Sequence, residues 1–140
     1  LDQPAWSGAD VSLGEELLRP SVIYAPAVLS AFRQYEVHAA AHITGGGLAG
    51  NLKRVIGDQV DIGLDVQRWR RPKIFEQIAI EGPVSEVEMR NVFNLGIGMV
   101  LAVPSDQIDE IINLADTNGH EAWAIGQVTE GRGQVRWMDQ

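Results

Sequence analysis

The run His38-Ala39-Ala40-Ala41-His42-Ile43-Thr44-Gly45-Gly46-Gly47 carries the strongest structural signal in this chain. A short apolar strand, bracketed by two histidines, ends in a threonine and three glycines. Helical spacing begins at once, with Leu48, Leu52, Val55 and Ile56 on one face. Glycine loses more conformational freedom on folding than any other residue, so three in a row mark a sharp turn or a close approach to backbone. A glycine turn that opens a helix aims free N–H groups and the positive end of the helix dipole at one point. That arrangement suits an anion or a phosphate. A plain strand-to-helix turn accounts for the same glycines, because no G-x-G-x-x-G and no Lys-Ser/Thr is present. His42, Thr44 and Asn51 can all lie near the turn. His42 reads more readily as a hydrogen-bonded core histidine than as a catalyst. Its place just before the turn keeps it a candidate.

Outward from the turn, Val37–Ile43 reads as a buried strand and Leu48–Ile56 as a helix. Upstream, the segment from Pro20 to Tyr35 has helical spacing, and Pro26 moves its start toward Tyr24. Residues 1–12 hold Pro4, Ser7, Gly8 and Asp10 and read as linker-like; residues 13–140 read as one α/β domain. Downstream, Gln59–Val66 alternates as a half-buried strand, with Val60, Ile62, Leu64 and Val66 on one side. Arg68–Pro72 reads as a loop and Ile74–Ile80 as a helix. Ser85 and Glu88 form a capping-box pattern for the next helix. Met99–Val103 is a continuous apolar run and reads as a central strand. Ser105 is the expected cap of a helix carrying Ile108, Ile111, Ile112 and Ala115, which ends at Asn118-Gly119. Ala122–Val128 reads as a strand, Gly131–Gly133 as a hairpin turn, and Gln134–Met138 as a last strand. The order αβαβααβαββ predicts an α/β fold with a mixed sheet covered by layered helices. Gly96 and Gly98, beside Asn94, form a second backbone-permissive spot. They read equally as close packing or as a second wall of the pocket that begins at the triple glycine.

At 140 residues with 45% hydrophobic and 21% charged residues, the chain can bury a real core. It has no cysteine, which removes disulfides, thiolate metal sites and cysteine nucleophiles and suits a reducing cytoplasm. Three histidines without H-E-x-x-H argue against a zinc site. A net charge of −8 argues against a nucleic-acid partner. The cluster Arg68, Arg70, Arg71 and Lys73 around Trp69 reads as a solvated loop or as a docking surface for an acidic partner. No apolar run approaches the ~18 residues of a membrane span, and no signal-peptide pattern appears.

Taken together, four spaced segments resemble the phosphoribosylformylglycinamidine cyclo-ligase (aminoimidazole ribonucleotide synthetase) family. They are Leu18-Arg-Pro-Ser-Val-Ile-Tyr24, the glycine run followed by Asn51-Leu-Lys-Arg-Val55, Glu88-Met-Arg-Asn-Val-Phe-Asn-Leu-Gly-Ile-Gly-Met99, and Ala122-Trp-Ala-Ile-Gly126. The likeness runs from about Leu13 to Val135. Ser21 stands where the family usually has threonine, and Val22 where it has a basic residue. Arg90-Asn91-Val92 replaces the usual Tyr-Arg-Thr. The resemblance implies the family's C-terminal domain, a layered α/β fold with partial likeness to the ferredoxin-like fold. It implies an N-terminal domain as partner, which forms a homodimer in the complete enzyme and supplies most ATP and magnesium ligands. The implied reaction closes an imidazole ring in purine synthesis. ATP activates the amide oxygen of formylglycinamidine ribonucleotide by phosphoryl transfer, an amidine nitrogen attacks, and phosphate leaves. On this reading Thr44, Gly45, Gly46, Gly47, Asn51 and Asn94 bind the nucleotide substrate, and His42 moves a proton or holds the turn. The chain alone is expected to be inactive. The alternative is a stand-alone, non-catalytic domain that binds phosphate or nucleotide or associates with a partner.

Overall fold

A computed structural model describes residues 1–138. Each element can be traced to a local cause. Residues 1–12 fold back on themselves through a bridge between Pro4 and Ser12 and bonds from Ala5 N to Val11 O and from Leu13 N to Gln3 O. Ser12 then caps α1 (Leu13–Leu17) in a full capping box: its hydroxyl accepts from the Glu15 amide, and the Glu15 carboxylate accepts from the Ser12 amide. α2 (Ala25–Gln34) starts at Tyr24 with Pro26 in its first turn, where a missing N–H costs nothing. β1 (Ala39–His42) leads into the glycine turn and α3 (Gly47–Leu52). β2 (Val60–Leu64) is followed by a 3₁₀ turn at Val66–Arg68, so Val66 lies outside the strand that its alternation suggests. Asp65 forces that exit: its carboxylate accepts from the Gln67 amide at 3.0 Å.

α4 (Lys73–Glu81) and α5 (Glu86–Val92) follow. Ser85 caps α5, its hydroxyl accepting from the Glu88 amide at 3.3 Å. β3 (Met99–Ala102) is next, then a 3₁₀ turn at Ser105–Gln107 that runs into α6 (Ile108–Thr117). Ser105 therefore opens the tighter turn and makes no side-chain cap to it, a correction to the expected helix cap. α6 ends at Asn118, and Gly119 sits at φ +78°, the left-handed stop that Asn-Gly predicts. β4 (Gly126–Glu130) and β5 (Val135–Trp137) complete the described chain.

The strands form two sheets, one with a β1–β3 antiparallel ladder and one ordered β4–β2–β5. The second is mixed: β2 pairs antiparallel with β4 and parallel with β5. Three expectations are corrected here. β3 is half of a two-stranded ladder, and its four residues are only half-buried, so it is not a central strand. The strand read over Ala122–Val128 is shifted to Gly126–Glu130; Ile125 is buried in the core just before the ladder begins. Gly126 permits that start, since a Cβ there would collide with the Gly63 carbonyl. Gly131–Gly133 is not a hairpin, because β4 and β5 flank β2 rather than each other. The loop instead crosses the beginning of β2. One oxygen of Asp61 accepts from the amides of Arg132 at 2.7 Å and Gln134 at 2.8 Å.

The core joins both sheets to the helices. Leu48, Leu64, Met89 and Leu95 are its largest fully enclosed side chains, and Ile43, Leu52, Ile62, Trp69 and Ile97 surround them. α3 lies along α5, and α2 along α6. No helix among the described residues is long and apolar enough to cross a membrane.

Candidate functional site

Gly46 caps α3 at φ +98° and Gly47 follows at φ +63°, both in the left-handed region that favours glycine. The triple glycine thus opens a helix, as its spacing predicts. The two positions differ in what surrounds them. A Cβ at Gly46 would find only the Asn51 amide nitrogen, 4.0 Å away. One at Gly47 would fall on the Arg90 carbonyl, with the Phe93 carbonyl 3.2 Å away. Gly47 is therefore where the end of α5 presses on the turn. Gly45 and Gly46 are exposed, and among the described residues their amides have no protein acceptor.

Asn51 builds the turn from beneath. It is buried, at 4% exposure, and both ends of its amide are used. Its Nδ2 donates to the carbonyls of Gly47 at 2.7 Å, Thr44 at 3.2 Å and Gly45 at 3.4 Å. Its Oδ1 accepts from the Thr44 hydroxyl and from Arg54 Nη1, each at 3.2 Å. The Thr44 hydroxyl thus lies over the turn with one bond directed inward. His42 is exposed and has no hydrogen-bond partner among the described residues, so the expectation of a hydrogen-bonded core histidine does not hold. The reason is register: in β1 the buried side belongs to Ala41, and His42 faces the other way opposite Met99.

The second glycine segment abuts the first. Leu95 at φ +52° and Gly96 at φ +99° form the centre of a tight turn closed by Ile97 N to Asn94 O at 3.0 Å, the pattern of a type I′ turn. The Asn94 carboxamide oxygen accepts from the Gly96 amide at 3.0 Å. Leu95 holds its unusual backbone because its side chain is fully buried and its carbonyl accepts from Trp69 Nε1 at 2.9 Å. Gly96 faces the Pro72 ring, and Gly98 faces the Tyr24 hydroxyl; a Cβ would collide at either place. Ile43 N to Gly98 O, at 2.9 Å, ties this segment to the strand that feeds the triple glycine. Gly96 and Gly98 therefore show the close packing that one reading expected, against Pro72 and Tyr24 and beside the strand that feeds the glycine turn.

Electrostatics fix α5 in place. Arg71 grips Glu86 with two bonds, 2.6 and 2.9 Å, and Arg90 Nε reaches the same carboxylate at 2.7 Å. Arg90 also stacks 4.7 Å from the Trp137 ring. The Arg71 bond, with Arg90 adding to it, lowers the Glu86 carboxyl to about 2. The basic cluster is thus largely occupied: Arg68 pairs with Asp65 at 3.1 Å, Lys73 lies 5.9 Å from the Trp6 ring, and Trp69 is buried. Arg70 stays exposed. Sequence reasoning assigns Arg90 no role, although an arginine four residues after Glu86 is a legible helical ion pair. Tyr24, over Gly98, enters the sequence reading only as a helix start and as part of the resemblance.

A family model described as AIR synthase related protein, C-terminal domain, matches residues 2–138. A phosphoribosylformylglycinamidine cyclo-ligase of Bacillus licheniformis is 42% identical over 123 residues, which are 88% of this chain and 36% of that protein. A human trifunctional purine biosynthetic protein adenosine-3 is 42% identical over 137 residues, 95% of this chain and 14% of that protein. The chain therefore spans about a third or less of these curated relatives. Among solved structures, a hydrogenase maturation protein HypE of E. coli superposes with a TM-score of 0.66 at 20% identity, over 89% of this chain and 39% of that one; it shares the fold. On this evidence the chain belongs to the AIR synthase related family, as its C-terminal domain.

Proposed function

We propose that this chain is the C-terminal part of an ATP-dependent cyclo-ligase that closes the imidazole ring of aminoimidazole ribonucleotide from formylglycinamidine ribonucleotide. The observation that carries the reading is 42% identity to a named cyclo-ligase across 88% of the chain. The glycine turn gives it a physical basis. Ring closure by this route puts charge on oxygens, and preorganised donors stabilise that charge without reorganising. The free amides of Gly45 and Gly46 are such donors, on a turn held in place by Asn51; the Thr44 hydroxyl gives its proton to Asn51 and presents only acceptor lone pairs to a ligand donor. Asn94 shapes the adjoining wall, and exposed His42 stands at the edge as the group able to move a proton.

Among the described residues no three His, Asp or Glu side chains are grouped as a metal-ligand set. The resemblance leaves most ATP and magnesium ligands to the N-terminal part of such an enzyme. Leu17, at the end of α1, and Leu18, Val22 and Ile23, between α1 and α2, are exposed apolar side chains, which suits contact with that N-terminal part.

The test is a chimera. The N-terminal part of the Bacillus licheniformis relative is joined to this chain and assayed for ring closure. Turnover dependent on formylglycinamidine ribonucleotide is the expected result. A folded chimera without turnover refutes the reading.

A further inference from the structure

Tyr24, at the start of α2, has its ring between two imidazoles. Its centroid is 6.3 Å from that of His42, with the planes at 60°, and 5.7 Å from that of His120, with the planes at 44°. The three rings come from three places in the chain: the N-terminus of α2, the end of β1 and the loop after α6. Tilted packing at these distances is favourable but leaves ring faces and edges available. The phenol rests on the backbone of Gly98, a position that glycine alone leaves open. None of the three side chains has a hydrogen-bond partner among the described residues.

Tyr24 and His120 also line a cavity of about 520 Å³. Its other walls include Ala27, Ile97, Ile112 and Trp123. Size and composition match a small-molecule site: mostly apolar walls and a few polar groups that orient the ligand. His42 lies outside this lining, on the face of β1 opposite Ala41, and meets the site only through the Tyr24 ring.

We propose that Tyr24 and His120, at the mouth of this cavity, form a binding site for the planar heteroaromatic ring of a nucleoside or nucleotide. The ring stacks on Tyr24, and its nitrogens meet the His120 imidazole edge. This rests on the cyclo-ligase reading only for the expectation that a nucleotide is present. It names the part of the ligand that this chain holds. Two rings share the chemistry, a purine base and an aminoimidazole, and the experiment separates them.

The chain holds three histidines, so selective ¹³C labelling of histidine gives three imidazole signals. His38, paired at 3.7 Å with Glu36 at the opposite end of β1, is the internal reference. Adenosine monophosphate, an aminoimidazole riboside and ribose 5-phosphate are titrated separately. The ring-bearing probes are expected to move His120 and leave His38 in place, and the tighter of the two identifies the ring. Ribose 5-phosphate is expected to leave His120 unmoved. Tyr24→Leu should weaken ring binding about tenfold, and Tyr24→Phe should retain it. His120→Ala, in a loop outside any element, carries the same expectation as Tyr24→Leu and does not endanger folding. No shift of His120 at millimolar ligand overturns the proposal, as do equal shifts with ribose 5-phosphate or undiminished binding by both variants. Because this assay reads binding and the chimera reads turnover, each proposal can fail without the other.

Discussion

At the scale of residues, three positions around the turn have separable roles. Gly46 is exposed with room for a side chain but not the backbone for one. Gly46→Val should cost about 1–3 kcal/mol of local strain, against a total stability of roughly 5–15 kcal/mol for a domain of this kind. The variant should keep a cooperative melt, and in the chimera it should lose substrate affinity; normal turnover would make the glycines a turn and nothing more. Gly47 adds a steric term, because any Cβ meets the Arg90 carbonyl. Gly47→Ala should therefore cost more, about 3–5 kcal/mol, visible as a lower midpoint in denaturant. Asn51→Leu removes the amide that satisfies the Gly47 carbonyl inside the fold. A loss of about 2–3 kcal/mol is expected, with larger losses of binding if the turn opens. The glycines and the polar residues near them were legible because glycine runs and helix starts leave local signatures. That Asn51 faces inward was not, since the direction of a helical side chain depends on what packs beside it.

At the scale of elements, α5 is held by charge. Glu86 titrates near 2 in the fold and at an ordinary 4.5 when free. A lowered carboxyl contributes stability above pH 4.5, and that contribution is lost as the pH falls toward 2. Melting temperature followed over this window should drop more steeply in the wild type than in Glu86→Gln. At neutral pH the substitution should cost about 1 kcal/mol, since the carboxylate is half exposed and solvent screens the pairs. The loop between β4 and β5 is held differently, by two backbone amides on Asp61. Those bonds keep the Asp61 carboxyl below its usual range. Asp61→Ala should speed hydrogen exchange at Arg132 and Gln134 while leaving α2 and α6 unchanged; equal exchange would mean that β5 is held by its ladder alone. Most elements were legible from periodicity and caps. Boundary errors fell at Val66, Ser105 and residues 122–125, where an Asx turn, a 3₁₀ turn and close backbone packing outweigh the apolar pattern; β3 and the loop at Gly131–Gly133 were misplaced because strand pairing is not a local property.

At the scale of the whole molecule, the exposed side chains of Leu18 and Ile23 should matter only in company. Leu18→Asp with Ile23→Asp should leave the melt of this chain unchanged and weaken its association with the N-terminal part of a cyclo-ligase, measured by gel filtration of the two pieces. Unchanged association would place the contact elsewhere. This chain alone should release no ADP in the presence of formylglycinamidine ribonucleotide and ATP; steady release would show a complete site. The α/β class, the helix-opening glycine turn and the family were determined by the sequence, because periodicity, glycine and ordered motifs are properties of neighbouring residues. The partition into two sheets, the placing of β2 between β4 and β5, and the meeting of Gly47 with Arg90 and of Tyr24 with His42 and His120 were decided only by the tertiary structure. Each joins residues far apart in the chain, and such pairings depend on which surfaces bury each other, a choice that no local pattern encodes.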